Sequence, residues 1–439
     1  MKKVLLFGFG NGSNSEPKTA GVLRTEQFAV GLEGAAELVS FLIGGANEAG
    51  SFVAENTFLI SRQSPQLFAK AREIARSENF AAAVGVNTFP AFVAARSIPA
   101  EVPFWADLNG WIMAEMQAQS FELKHNDYLA HGWTQEQAIL QRADKISTVS
   151  TPQKFAVVGE LATLGRLTKD SFREENVAVV PNIAAVKNRS DFDSFAKPLL
   201  RGESVPQAAF LVLQVGGFNN WVDEETLFSA LEKALAQDPS IHFVTTGGAL
   251  PHIAEQPFAR FTQRIQNSQF QERFQLLGWR TNAEVDQLYA ECDLGIMADL
   301  ICLETETGAR NRLNEMMARG LPFITTAGSE LSYDILQWNC GKVVESGDSA
   351  ALSAAILTLK ESPELRSELA KRAQEICTTE LTALKTIAPL RRWLQNPKNL
   401  HQFRVSFVKN SFLAKWRAAW RLLQERGIGG LWQKIRQYW

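Results

Sequence analysis

Short apolar runs and longer segments with a single apolar stripe alternate along most of this chain. In residues 1–190 the runs KVLLFGFG, AELVSFLI, NTFLI, FAAAVGV, VPFWADL, KISTVS and VAVV have the length and composition of strands. Between them, segments such as Ala20 to Leu32 and Pro65 to Ser77 carry apolar side chains at helical period. A polar, proline-containing stretch near 184–207 interrupts the pattern, which then restarts with AAFLVLQVG, IHFVTTG, RFQLLG, CDLGIMA, PFITT and GKVVE. Helices are expected there at about Asp223 to Gln237, Asn282 to Glu291, Gly308 to Arg319 and Ala350 to Lys360. Strands that are apolar on both faces must be covered on both, the condition of a parallel sheet wrapped by helices. The pattern predicts an α/β protein of two doubly wound domains, residues 1–190 and 208–380, facing each other across a cleft. Residues 191–207 read as the linker and 381–439 as a crossing helix with a basic tail.

At 439 residues the chain has room for two domains, each with its own core. It holds no uninterrupted apolar run long enough to span a bilayer, and the opening MKKVLLFGFGNGSN reads as a first buried strand rather than a leader. The cysteines Cys292, Cys302, Cys340 and Cys377 form no C-x-x-C pair, so a reduced, cytoplasmic setting is expected; the five histidines show no ligand spacing, so no metal is expected. Charge changes the picture at one end only. Residues 391–439 contain eleven Lys and Arg against the single acid Glu425, and five of the eleven tryptophans. Two short helices are expected there, broken at Gly427, Gly429 and Gly430. Trp416 and Trp420 lie on the apolar stripe of the first beside Arg417, and Trp432 and Trp439 on that of the second beside Lys434. Apolar stripes edged by cations suit the headgroup layer of an anionic membrane; packing back onto the first domain is the structural alternative. Nothing in the sequence points to nucleic acid.

Candidate chemistry concentrates between Gly278 and Gly320. There a buried strand, CDLGIMAD, leads through a loop holding Glu304 into an expected helix that starts near Gly308 and Asn311 and carries Arg310, Arg312 and Glu315. Free amide hydrogens at a helix start, with two guanidinium groups, are built to meet an anion such as a diphosphate. Carboxylates on either side suit sugar hydroxyls, because a charged acceptor grips neutral O–H donors. Glycines also follow the first strand of each half, as Gly8, Gly10 and Gly12 and as Gly216 and Gly217, at the carboxyl ends where parallel sheets bind ligands. The first set lacks the third glycine of a dinucleotide fingerprint, since position 13 is Ser, which disfavours NAD or FAD.

In the second half, GGFNNWVDEETLFSALE, IHFVTTGG, FQLLGW, DLGIMAD and LETETGARNRLNEMMARGLPFITT resemble bacterial glycosyltransferases of the GT-B fold, in particular retaining family 4, the group 1 glycosyl transferases. GVLRTEQFA, DLNGWIMAEMQAQ, STVSTPQKFAVVGELATLGRL and VVPN in the first half resemble segments of transferases acting on cell-surface and lipid-linked glycans, so the likeness spans roughly residues 1–390. The resemblance implies two Rossmann-like domains and a nucleoside-diphosphate sugar, UDP- or GDP-linked, held mainly by the second. Gly216 and Gly217 would lie under the diphosphate, with Gly10 and Gly12 approaching from the first domain. Trp279 and Arg280 would read the base, and Glu315 would accept from the ribose. The family's Glu-x7-Glu motif is altered, because Thr307 stands eight positions before Glu315, and the sugar-side role passes to Glu304. The usual Arg and Lys of the first loop are missing from GGFNNWVDEE, which leaves Arg310 and Arg312 to neutralise the diphosphate. Two positions apart on a helix they cannot face the same way; Arg310, nearer the start, is the preferred ligand and the other the salt-bridge partner. Asp107 stands where relatives carry a histidine, either to orient a reacting hydroxyl or merely to cap the next helix.

The expected activity is transfer of a sugar, with retention, from the nucleotide sugar to a hydroxyl of a lipid-linked or cell-surface glycan. It would take place at the inner face of the cytoplasmic membrane, without cofactor. A nucleotide-sugar epimerase of the same fold and a non-catalytic nucleotide-sugar-binding subunit are the alternatives.

Overall fold

The computed structural model describes residues 1–11, 19–45, 49–187, 198–250, 253–402, 419–421 and 423–424. Eight strands form the first sheet: β1 (Lys2–Gly10), β2 (Ala36–Gly44), β3 (Ser51–Ala54), β4 (Thr57–Ser61), β5 (Ala82–Val86), β6 (Phe104–Leu108), β7 (Lys145–Thr148) and β8 (Val177–Val179). Their order is β3-β4-β2-β1-β5-β6-β7-β8, parallel throughout except for the antiparallel β3–β4 edge pair. The second sheet contains β9 (Phe210–Gln214), β10 (Ile241–Thr245), β11 (Phe274–Leu276), β12 (Leu294–Met297), β13 (Phe323–Thr326) and β14 (Lys342–Val344). It is wholly parallel, in the order β11-β10-β9-β12-β13-β14.

Every strand expected from an apolar run is present. The interior strands β5, β6, β9 and β10 are buried at every residue, because helices cover both faces. One core of the first domain gathers Phe7, Phe41 and Phe104, and the opposite face gathers Phe28, Trp105 and Val180. The second sheet has Phe243 and Phe261 on one face and Leu213, Met316 and Phe323 on the other. Chain order reverses between β1 and β5 in the first sheet and between β9 and β12 in the second. At such reversals adjacent connections leave in opposite directions and open a crevice at the carboxyl ends of the strands.

The helix expected from Gly308 to Arg319 starts later, at Asn311, and another helix precedes it. Leu303–Thr307 is a short helix, and Asn311–Ala318 a second, with Arg310 as its N-cap residue. The glycine between them is required: a Cβ on Gly308 would come within 2.4 Å of Glu304 Oε1 and 2.6 Å of its carbonyl oxygen. Residues 198–207 of the expected linker pack on the second sheet. Glu291 accepts from the backbone of Leu199, Leu200 and Arg201 at 2.9, 2.9 and 2.6 Å, and Leu200 and Val205 are buried beside Leu211.

The chain then returns to the first domain through Ala383–Thr386 and Ala388–Gln395. Ile387, Leu390 and Leu394 join the core around Val4 and Phe28, and Trp393 meets Trp105 edge-on at 5.6 Å. Arg391 donates to the carbonyl oxygens of Gly31 and Glu33 at 2.6 and 3.0 Å, and Gln27 to Thr386 Oγ1 at 3.0 Å. His401 is held by Asp144 at 2.7 Å. Beyond Gln402 only Ala419, Trp420, Arg421, Leu423 and Gln424 are described, Trp420 being exposed. Trp416, Arg417, Trp432, Lys434 and Trp439 lie outside the described residues.

Candidate active site

A cleft of about 470 Å³ opens where the two chain reversals face each other. Thr19, Ala20, Leu23, Asn109, Gly110 and Glu115 supply the first-domain wall. The second domain contributes Gly216 and Gly217 after β9, Trp279 after β11, Asp299 and Glu304 after β12, and Asn311, Arg312 and Glu315 from the following helix. Residues some two hundred positions apart in the chain thus share one crevice, because both sheets aim their carboxyl edges at it.

The glycine loop is built for close approach. Gly216 has φ +89° and Gly247 φ +85°, backbone that glycine adopts without strain. A Cβ on Gly247 would fall 2.3 Å from the Gly216 carbonyl carbon, so two main chains touch here. Arg312 lies against this loop: its Nη2 donates to the Gly217 carbonyl, and a Cβ on Gly216 would be 3.2 Å from its Nε. No described carboxylate lies within ion-pair distance of Arg312, and burial pulls its pKa below the usual guanidinium value. A half-buried cation without a paired anion, beside a glycine loop that backbone can approach closely, favours an anionic ligand.

Arg310 differs from the sequence expectation. Only 4% exposed, it places Nη2 and Nη1 2.9 and 3.2 Å from the two carboxylate oxygens of Glu304, and Nε 2.8 Å from Asp299 Oδ2. Its guanidinium is committed to a buried ion triad. The assignment of the two arginines is therefore corrected: as the cap before the helix, Arg310 turns inward and Arg312 takes the loop. Glu304 is corrected with it. Both its oxygens are engaged by Arg310, and it is 5% exposed, so it lines the cleft as a holder of Arg310 rather than as a free acceptor for hydroxyls.

Asp107 is corrected as well. It is fully buried, pairing with Arg24 at 2.7 and 3.0 Å and accepting from Ser147 Oγ at 2.7 Å, and it neither lines the cleft nor caps a helix. Arg24 itself is 1% exposed and also donates to the carbonyls of Val180 and Pro181. The pair ties the first helix of the domain to β6 and β8. An arginine on the apolar face of the helix Ala20–Leu32 was the signal, since a buried guanidinium demands a buried partner.

Gly10 is the last residue of β1, packed against β2, and lines a separate hollow with Thr25 and Leu42; Gly12 lies outside the described residues. Gly308 faces a smaller hollow between the domains with Ser150 and Glu330, not the main cleft. Trp279 presents a 61% exposed ring at the rim. Arg280 is occupied by Glu284 at 3.1 Å and by the Leu277 carbonyl at 3.1 Å. Glu315 pairs with Arg319, which Asp286 holds in turn at 2.6 Å. No group of three or more His, Cys, Asp or Glu with metal-binding geometry occurs among the described residues.

Two further features belong to this region. Asn87, Asn109, Asn182 and Asn311 form an amide ladder between the domains, with Asn109 donating to Asn87 at 2.9 Å and Asn182 to Asn109 and Asn311 at 3.0 and 2.6 Å. Ser150 Oγ donates to the Thr307 carbonyl at 2.6 Å beside it. The second feature is Glu115, whose half-buried carboxyl enters the cleft from the first domain.

Two doubly wound sheets meeting at their carboxyl edges, with the chain crossing back at its end, describe one architecture. The fold is GT-B. Residues 209–362 match the family model for group 1 glycosyl transferases. Among solved structures the chain is similar to Anabaena HepE in complex with UDP-glucose, at 18% identity over 90% of this chain and 100% of that one, with a TM-score of 0.63. It is also similar to the sucrose-phosphate synthase of Thermosynechococcus elongatus, at 15% identity over 91% and 100%, TM-score 0.60. The trehalose 6-phosphate synthase of Burkholderia multivorans aligns at 10% identity over 90% and 96%, TM-score 0.62. Comparison of the sequence with curated proteins gave no match.

Proposed function

We propose that this protein is a glycosyltransferase that binds a nucleoside-diphosphate sugar in the interdomain cleft and passes the sugar to a hydroxyl. The observation that carries the reading is Arg312, an unpaired cation laid against the Gly216–Gly217 loop. The diphosphate would sit on that loop, the base against Trp279 and the ribose at Glu315. A UDP donor is favoured by the likeness to HepE, which was solved with UDP-glucose. No metal or other cofactor is assigned a part. Retention of configuration is the proposed outcome, supported by the resemblance of the loop holding Glu304 and the following helix to retaining family 4 noted in the sequence.

Calorimetry with UDP, GDP and ADP tests the nucleotide. Glu315→Ala is expected to raise the dissociation constant of the preferred diphosphate at least tenfold, as loss of a charge-assisted hydrogen bond costs about 1.5–3 kcal/mol. Unchanged affinity would take Glu315 out of the ribose site.

For the acceptor we propose a lipid-linked or cell-surface glycan presented at the inner face of the cytoplasmic membrane, supported by the basic, tryptophan-rich residues 403–439. No described helix is long and apolar enough to cross a membrane. Each cation near an anionic surface contributes about 1 kcal/mol. The full chain is expected to sediment with anionic vesicles and to be released by salt, and a chain ending at residue 402 to stay in the supernatant. Equal sedimentation of both would remove the tail from membrane docking.

A further inference from the structure

From the placement of Glu115 we infer a catalytic carboxyl on the first domain that binds the reacting hydroxyl and takes its proton. This rests on the cleft being the nucleotide-sugar site. Glu115 lies in the first turn of Ile112–Leu123, directly after the loop that ends β6. That loop makes room for it: Gly110 has φ +94°, and a Cβ there would lie 2.7 Å from Glu115 Oε1. The carboxyl reaches over the glycine into the cleft, opposite Glu304 and Arg310. It accepts no hydrogen bond from a described residue, whereas Glu304 is saturated by Arg310 and Glu315 is paired with Arg319. Of the four carboxylates lining the cleft, Asp299 and Glu304 pair with Arg310 and Glu315 with Arg319, and Glu115 alone is unengaged among the described residues.

The surrounding charges adjust it to the task. Burial first, then the facing Glu304, push its pKa up to about 8, against a smaller opposite pull from Arg310. Behind it, Glu136 on Asp127–Arg142 and Glu160 on Thr151–Thr163 form a close carboxyl pair. Glu136 is 2% exposed and burial holds its pKa well above the ordinary range, with Glu160 and Glu115 adding to the shift. Glu160 also accepts from Trp111 Nε1 at 3.1 Å. A proton acceptor works best when its pKa lies near the working pH.

In the step, the hydroxyl oxygen bonds to the anomeric carbon on the face that the diphosphate leaves, as retention requires, and its proton passes to Glu115 Oε. The anomeric C–O bond to the diphosphate breaks, and its electron pair leaves with the nucleoside diphosphate. Glu115 then returns the proton to solvent through the open cleft.

The test uses the full chain, UDP and UDP-glucose, with water as the hydroxyl donor, and compares wild type with Glu115→Gln. Expected results are UDP dissociation constants within twofold of each other and at least a thirtyfold slower release of UDP from UDP-glucose in the variant. The wild-type rate should rise with pH to a plateau above about 8, and the variant should lose that limb. In the infrared, the wild-type-minus-variant difference should contain a protonated carboxyl band titrating in the same range. Turnover of the variant within threefold of wild type, or absence of that band from the difference, overturns the inference while leaving the nucleotide site intact. Failure of the wild type to bind UDP or UDP-glucose overturns the underlying reading instead, and this role falls with it.

Discussion

Replacing Arg310 by alanine is expected to lower the unfolding free energy by about 3–5 kcal/mol, the usual cost of stranding buried charge. Asp299 and Glu304 are 3% and 5% exposed and rely on this guanidinium. Burial already raises the pKa of both carboxyls, with Arg310 as the chief opposing influence. Without it their folded-state pKa values move further up, so the folded state binds more protons than the unfolded chain across the interval between. By linkage the variant then loses stability as pH rises through that interval, and its deficit should be smallest near pH 4 and largest above neutrality. Urea unfolding at several pH values measures this directly. A variant as stable as wild type at pH 8 would show that the triad does not hold the two helices before and after Gly308.

Arg312→Ala should behave in the opposite way. Its guanidinium has no described carboxylate partner, and burial disfavours its charge, so removal is expected to leave the free protein as stable as before or slightly more so. Affinity for the nucleoside diphosphate should fall by roughly 10- to 150-fold, corresponding to about 1.5–3 kcal/mol for a charge-assisted contact. Lysine at the same position should restore only part of this, since an ammonium cannot span two phosphate oxygens as a planar fork does. Calorimetry with UDP reads the affinity and thermal unfolding without ligand reads the stability. Full affinity in Arg312→Ala would move the diphosphate away from the glycine loop.

The strands were legible because interior parallel strands are apolar at every position, a signal that survives without any knowledge of partners. β3 was not, since all four of its residues are exposed on the sheet edge and no burial pattern marks them. The glycine loop, Trp279 and Glu315 could be placed on one cleft because a doubly wound sheet fixes which ends of its strands meet ligands. Which arginine faced the loop was not legible: it depended on the helix starting at Asn311 instead of Gly308, and that break is set by the Glu304 side chain folding over Gly308. Asp107 misled for a related reason. Its partner Arg24 lies 83 positions earlier, and only packing brings the two together. Glu115 looked like any polar residue on a helix until Gly110 and the opposing domain gave its carboxyl a place to be.

The four asparagines that bridge the domains act as a spacer. Asn182 spends both hydrogens of its amide, one toward Asn109 and one toward Asn311, the first residue of the helix that carries Arg312. Such bonds weaken steeply once their geometry is lost. A shift of either half by an ångström would break the bond to Asn311, so the jaw closes to a set gauge, leaving a gap fitted to a molecule and too well defined to vanish when none is there.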